Sequence, residues 1–177
     1  LGWRDTLATP ENTSRQRGYS EARGDRSVYT PQVVINGRDH VVGSNAKAIE
    51  AHIEVSKAEG GLKVPVSVQR VGDMLRVDIP AYDQPTRKAV IWLALYDRAR
   101  EVPIKRGENE GQKITYTNVV RRLQPLGMWK GEAKTVEVPL AENERSGAIG
   151  CAVMLQVDSS GRPGPILGAA VLATLSN

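Results

Sequence analysis

Tyr29-Thr30-Pro31-Gln32-Val33-Val34-Ile35-Asn36-Gly37 sets the terms for the rest of the chain. Val33 to Ile35 is an apolar strand core that begins after Thr30-Pro31 and ends at Asn36-Gly37. Proline lacks an N–H, so it belongs at the first position of a strand or on a sheet edge. Asn-Gly is the strongest short hairpin signal, because both residues tolerate positive φ. A strand over Gln32–Asn36 and a return strand over Asp39–Val42 follow from this reading.

Upstream, residues 9–23 read as a helix. Thr9 is its N-cap, Pro10 occupies the first helical position, Glu11 suits the positive end of the helix dipole, and Gly24 supplies the C′ residue. The helix body is polar, with Tyr19 and Ala22 as its packing positions. Downstream, Ser44 is expected to cap a second helix, whose buried stripe is Ala46, Ile49 and Ile53 at helical spacing. Gly60-Gly61 ends that helix and reads as the boundary between a first unit, residues 1–60, and a second, residues 61–177.

Beyond Lys63 the hydrophobic period changes to 2. Val64, Val66 and Val68 alternate with polar neighbours, and so do Leu75, Val77 and Ile79. Further strands are expected over Lys88–Asp97, Ile114–Leu123, Thr135–Leu140, Ala148–Val157 and Ile166–Leu175. Seven short strands separated by turn clusters indicate an antiparallel β-sandwich. Val66, Val77, Trp92, Val120, Val138, Val153 and Val171 are its candidate core residues. The fold class is therefore α+β, with a helix-and-hairpin portion preceding the sandwich. A lone two-stranded hairpin is marginal unless strands or helices cover it.

Composition narrows the function classes. The 177 residues carry 24 basic and 20 acidic side chains, a net charge of +4. Residues 1–60 hold eight of each sign, so the excess lies in the second unit, where it is too diffuse for a nucleic-acid footprint. No apolar run approaches a membrane span. One cysteine, Cys151, supports neither a disulfide framework nor a zinc site, and His40 and His52 are not spaced as a ligand pair on one helical face. No metal and no cofactor is indicated. No Ser/His/Asp constellation or phosphate-binding glycine loop is readable, so no catalytic residue is assigned. The chain starts at Leu1 within what reads as a continuing segment, which leads to the expectation that residues precede it.

Several stretches together resemble a known family: Leu1-Gly2-Trp3-Arg4-Asp5, Ser14-Arg15-Gln16-Arg17-Gly18-Tyr19, Val28 through Arg38, Arg106-Gly107-Glu108-Asn109, Asn118-Val119-Val120-Arg121 and Leu126-Gly127-Met128-Trp129. They resemble a family of secreted bacterial proteins known as domain of unknown function 1223. The resemblance implies the C-terminal part of a thioredoxin-like domain followed by a β-rich domain. It implies an exported protein, periplasmic or secreted, related to thiol–disulfide oxidoreductases, with a protein thiol or disulfide as partner. In such domains a cis-proline opens the strand and faces the redox cysteines. Members carry Cys-x-x-Cys on a first βα unit ahead of the segment that matches Leu1, and this chain contains no such unit. Without a second thiol it is expected to have no dithiol oxidoreductase activity of its own. The alternative is a non-catalytic binding or interaction module.

The site expectations follow. Thr30 and Pro31 are the candidate substrate-binding residues, with a cis bond between them; a trans proline at the start of an edge strand is the competing reading. Arg106, Glu108 and Asn109 form a polar loop that serves either as a binding site at one end of the sandwich or as a solvated turn. Cys151 lies in an apolar strand and reads as a small buried hydrophobe.

Overall fold

The computed structural model describes residues 9–83, 88–103, 111–141, 144 and 149–175. Among them are two helices and nine strands arranged in three antiparallel sheets. Helix α1 spans Pro10–Arg23, and strands β1 (Gln32–Ile35) and β2 (Asp39–Val42) form the hairpin. Helix α2 spans Ala46–Ala58. The remaining strands are β3 (Ser67–Val71), β4 (Met74–Ile79), β5 (Ala89–Pro103), β6 (Lys113–Trp129), β7 (Lys134–Pro139), β8 (Ile149–Asp158) and β9 (Pro163–Leu172). They build a three-stranded sheet in the order β3-β4-β7 and a four-stranded sheet in the order β6-β5-β8-β9.

The two larger sheets share one core. Leu75, Val77 and Ile79 of β4 meet Ile91, Leu93 and Leu95 of β5 and Cys151, Val153 and Leu155 of β8, with Trp129 fully buried among them. The alternation of apolar residues thus produces a sandwich of seven strands. Val77 and Val153 are buried in its core, while Val66 and Val138 are partly buried against it. Three other core candidates are misplaced. Trp92 lies on the outer face of β5, paired with Met154 and half-buried. Val120 and Val171 are 45% and 65% exposed. Both faces of β5 are apolar, so alternation alone does not say which face meets the other sheet.

Strand limits also differ from expectation. The strand expected from Val64 begins only at Ser67, because Val64 instead donates its N–H to the Leu167 carbonyl of β9 at 2.8 Å. Strand β6 runs through Pro125 to Trp129; as the edge of its sheet it tolerates a residue without an N–H, and the register shifts beside that proline.

Helix α1 follows its punctuation. The Thr9 hydroxyl accepts the Asn12 N–H at 3.1 Å, and Gly24 closes the helix in the left-handed region at φ +81°. Its packed residues are Arg15, Gln16, Gly18, Tyr19 and the buried Ser20, whereas Ala22 is exposed. Helix α2 is capped by Asn45, whose side chain accepts the Ala48 N–H, and not by Ser44. Of its expected stripe only Ile49 is half-buried; Ala46 and Ile53 are exposed, and no residue of α2 is fully buried.

The hairpin docks on the sandwich. Arg38 N–H closes on the Ile35 carbonyl across Asn36 and Gly37, at φ +47° and +71°. The Asn36 carbonyl accepts the Ile166 N–H of β9 at 2.9 Å. A Cβ on Gly37 would run into the Gly164 carbonyl oxygen, so the turn needs glycine twice over, for φ and for close approach.

Candidate functional site

The Thr30–Pro31 peptide bond is cis, as the family resemblance implies. Thr30 and Pro31 are exposed at the start of β1. The Pro31 carbonyl accepts the Gly43 N–H at 2.9 Å, which ties the start of β1 to the end of β2. Val28, two positions before Thr30, and Val42, the β2 partner of Gln32, stay 45% and 47% exposed. Thr30 and Pro31 thus present an accessible surface with exposed apolar side chains close by in sequence and register.

The loop from Gly24 to Pro31 is held by a chain of polar side chains. Arg23 Nε donates to Asp25 Oδ2 at 2.6 Å, and the Ser27 N–H donates to Asp25 Oδ1 at 2.8 Å. His40 Nε2 of β2 lies 3.1 Å from Asp25 Oδ2. On the other side of the ring, His40 Nδ1 is 2.7 Å from the Tyr29 hydroxyl. The Arg23 hydrogen bond, reinforced by the Ser27 N–H, holds the Asp25 carboxyl down at about 2. Asp25 is therefore ionised at neutral pH and accepts from His40 Nε2, so the imidazole bridges the carboxylate and the Tyr29 hydroxyl through its two nitrogens. Gln16 of α1 completes the frame, donating to the Tyr29 carbonyl at 2.9 Å and to Gln32 Oε1 at 3.1 Å. The effect is to present Thr30 and Pro31 on a loop fixed at both ends.

The tyrosine–histidine–aspartate chain was not readable from the sequence. His40 is eleven positions from Tyr29, and only the path of the loop brings them together. The one usable signal is the hairpin register, which sets His40 opposite Val34 and so on the face that also carries Gln32.

Arg106, Glu108 and Asn109 lie outside the described residues. Cys151 is fully buried on β8, and burial pushes its thiol up to about 11. A thiol in that setting is inert rather than nucleophilic. Among the described residues, no three His, Cys, Asp or Glu side chains come together as a metal would require, and no helix is long and apolar enough to cross a membrane.

Residues 1–156 match the family described as "Protein of unknown function (DUF1223)". The chain belongs to this family. A solved Agrobacterium tumefaciens protein, determined by X-ray crystallography as a structural-genomics target, is 40% identical with a TM-score of 0.84. The similarity covers 100% of this chain and 77% of that one. No curated protein matches. The DUF1223 resemblance read from Val28 through Arg38 and from Leu126 to Trp129 therefore stands, and both stretches lie within the matched region.

Proposed function

We propose that this DUF1223 chain is the substrate-presenting part of an exported thioredoxin-like protein related to thiol–disulfide oxidoreductases. In this reading residues 1–60 form the later part of a thioredoxin-like domain and residues 61–177 a sandwich attached to it. The observation that carries the proposal is the order of α1, the β1–β2 hairpin and α2, with Thr30–Pro31 exposed at the start of the hairpin. That order supports the thioredoxin-like reading, in which a helix, a hairpin entered through a cis-proline and a second helix follow one another. An extended protein segment bearing a thiol or disulfide would lie along the Thr30–Pro31 edge. The dithiol itself would belong to a preceding βα unit.

A second reading has its own support. Cys151 is the chain's one cysteine, and it is buried with a raised thiol. One inert thiol cannot cycle through an intramolecular disulfide, so in this reading the chain by itself would bind a partner without turning it over. Insulin reduction by dithiothreitol tests both readings, with this chain and with the whole product of its gene as additives. The first reading expects catalysed turnover only from a product that carries a Cys-x-x-Cys pair. Such a product without turnover would remove the oxidoreductase reading. Turnover by this chain above its Cys151→Ala variant would remove the binding-module reading.

A further inference from the structure

A broad concavity lies away from Thr30–Pro31, where α1 crosses the outer face of the four-stranded sheet. It is an open groove of about 1480 Å³. Its floor is apolar, made by Val90 and Trp92 of β5 and by Pro125 and Met128 of β6. Met128 is 38% exposed and Trp92 half-buried, so this apolar surface faces water.

A fixed cation stands at the edge of the floor. The Arg15 guanidinium lies 4.9 Å from the centre of the Trp92 ring and 5.3 Å from that of Tyr19. Its Nη2 donates to the Tyr19 hydroxyl and to Oε1 of the buried Gln156. Gln156 is itself held, donating to the Tyr19 hydroxyl at 2.9 Å and to the Gly164 carbonyl at 2.8 Å. The other N–H groups of Arg15 have no acceptor among the described residues. A guanidinium already ordered by two rings and a buried amide loses little entropy when it binds an anion.

The remaining charges sort by partner. Arg162 is paired with Glu21 at 2.5 Å, and Asp158 accepts the Gly161 N–H at 2.6 Å. Glu11 lies in the first turn of α1, and Arg17 adds a second exposed cation along the wall. The side chain over the apolar floor is therefore a cation whose remaining N–H groups have no acceptor among the described residues.

We infer that this groove binds a small carboxylate with an extended apolar tail, the head on Arg15 and the tail across Trp92, Pro125 and Met128. Charge complementarity selects the head group, since a guanidinium fork matches a carboxylate. Burial of the floor supplies the driving force for the tail. The site is independent of the Thr30–Pro31 edge.

The test titrates dodecanoate into the chain and follows the Trp92 indole N–H and the Met128 methyl by NMR. Both signals are expected to shift along one saturating curve, with dodecanol binding at least about tenfold more weakly, the scale of one charge-assisted hydrogen bond. Arg15→Met is expected to remove that preference. Met128→Glu, a change at an exposed position that spares the fold, is expected to weaken dodecanoate about tenfold by placing a like charge on the floor. Equal binding of dodecanoate and dodecanol by the unmodified chain overturns the inference. So does undiminished dodecanoate affinity in Met128→Glu, or tighter binding of the blocked peptide acetyl-leucyl-aspartyl-leucinamide than of dodecanoate.

Discussion

The helix-and-hairpin region, residues 9–60, and the sandwich that follows are held by different forces. In the first, Ile35 and Val41 are the buried apolar residues, and α2 leaves Ile53 and Val55 exposed. Polar links do much of the fastening there: Arg23 to Asp25 to His40 to Tyr29, and Gln16 to Gln32. In the sandwich, Trp129, Leu75, Ile91 and Leu155 are fully buried in one continuous apolar core. Hydrophobic burial grows with the area removed from water, whereas each hydrogen bond exchanged with water contributes only about 1 kcal/mol net. The first region therefore depends on its seat against the second, at Asn36 on β9 and at Arg15 on Gln156.

The sharpest way to break this contrast is Trp129→Ala. Removing a fully buried indole from the shared core is expected to cost about 3–5 kcal/mol in urea denaturation. Both regions should unfold together if the first leans on the second. Retention of the hairpin's NMR signals after the sandwich has melted would show that the first region stands alone.

A smaller effect is expected at the seat itself. Gly18→Ala would raise helix propensity by about 1 kcal/mol on an isolated α1. Here the added Cβ would lie 2.8 Å from Pro163 Cδ, inside the packing distance of a rigid ring. Overpacking of this kind costs about 1–3 kcal/mol, so the variant is expected to be less stable and to loosen the contact between Tyr19 and Gln156. A gain in melting temperature would mean that α1 does not press on β9 in solution.

The smallest effect is the pH response of the polar chain. The folded Asp25 carboxyl sits at about 2, below its ordinary value of 3.8. A depressed carboxylate contributes stability that is fully present above its unfolded value and is lost as pH falls through the folded one. Asp25→Asn is therefore expected to lower the urea midpoint at pH 7 and to shrink the fall between about pH 4 and pH 2. Asp78 and Glu132, also lowered, are common to both proteins and cancel in the difference. Identical midpoint–pH curves for the two proteins would show that Asp25 does not fasten the loop.

Much of this architecture is legible in the amino-acid order. Thr9, Pro10 and Gly24 punctuate α1, Asn36-Gly37 turns the hairpin, and the change of period after Lys63 marks the strands. These are local effects, because a cap, a turn or an alternation is decided by residues within a few positions of one another. What tertiary structure alone decided is which side of each element faces which neighbour. Ile91 and Leu93 face the core while Trp92 receives Arg15, although both sides of β5 are apolar. The Tyr29–His40–Asp25 chain and the groove below α1 arise in the same way, from segments brought together by a loop path and by a helix lying across a sheet. Periodicity fixes two faces for every strand or helix, but the choice between them is made by the surface that packs against it.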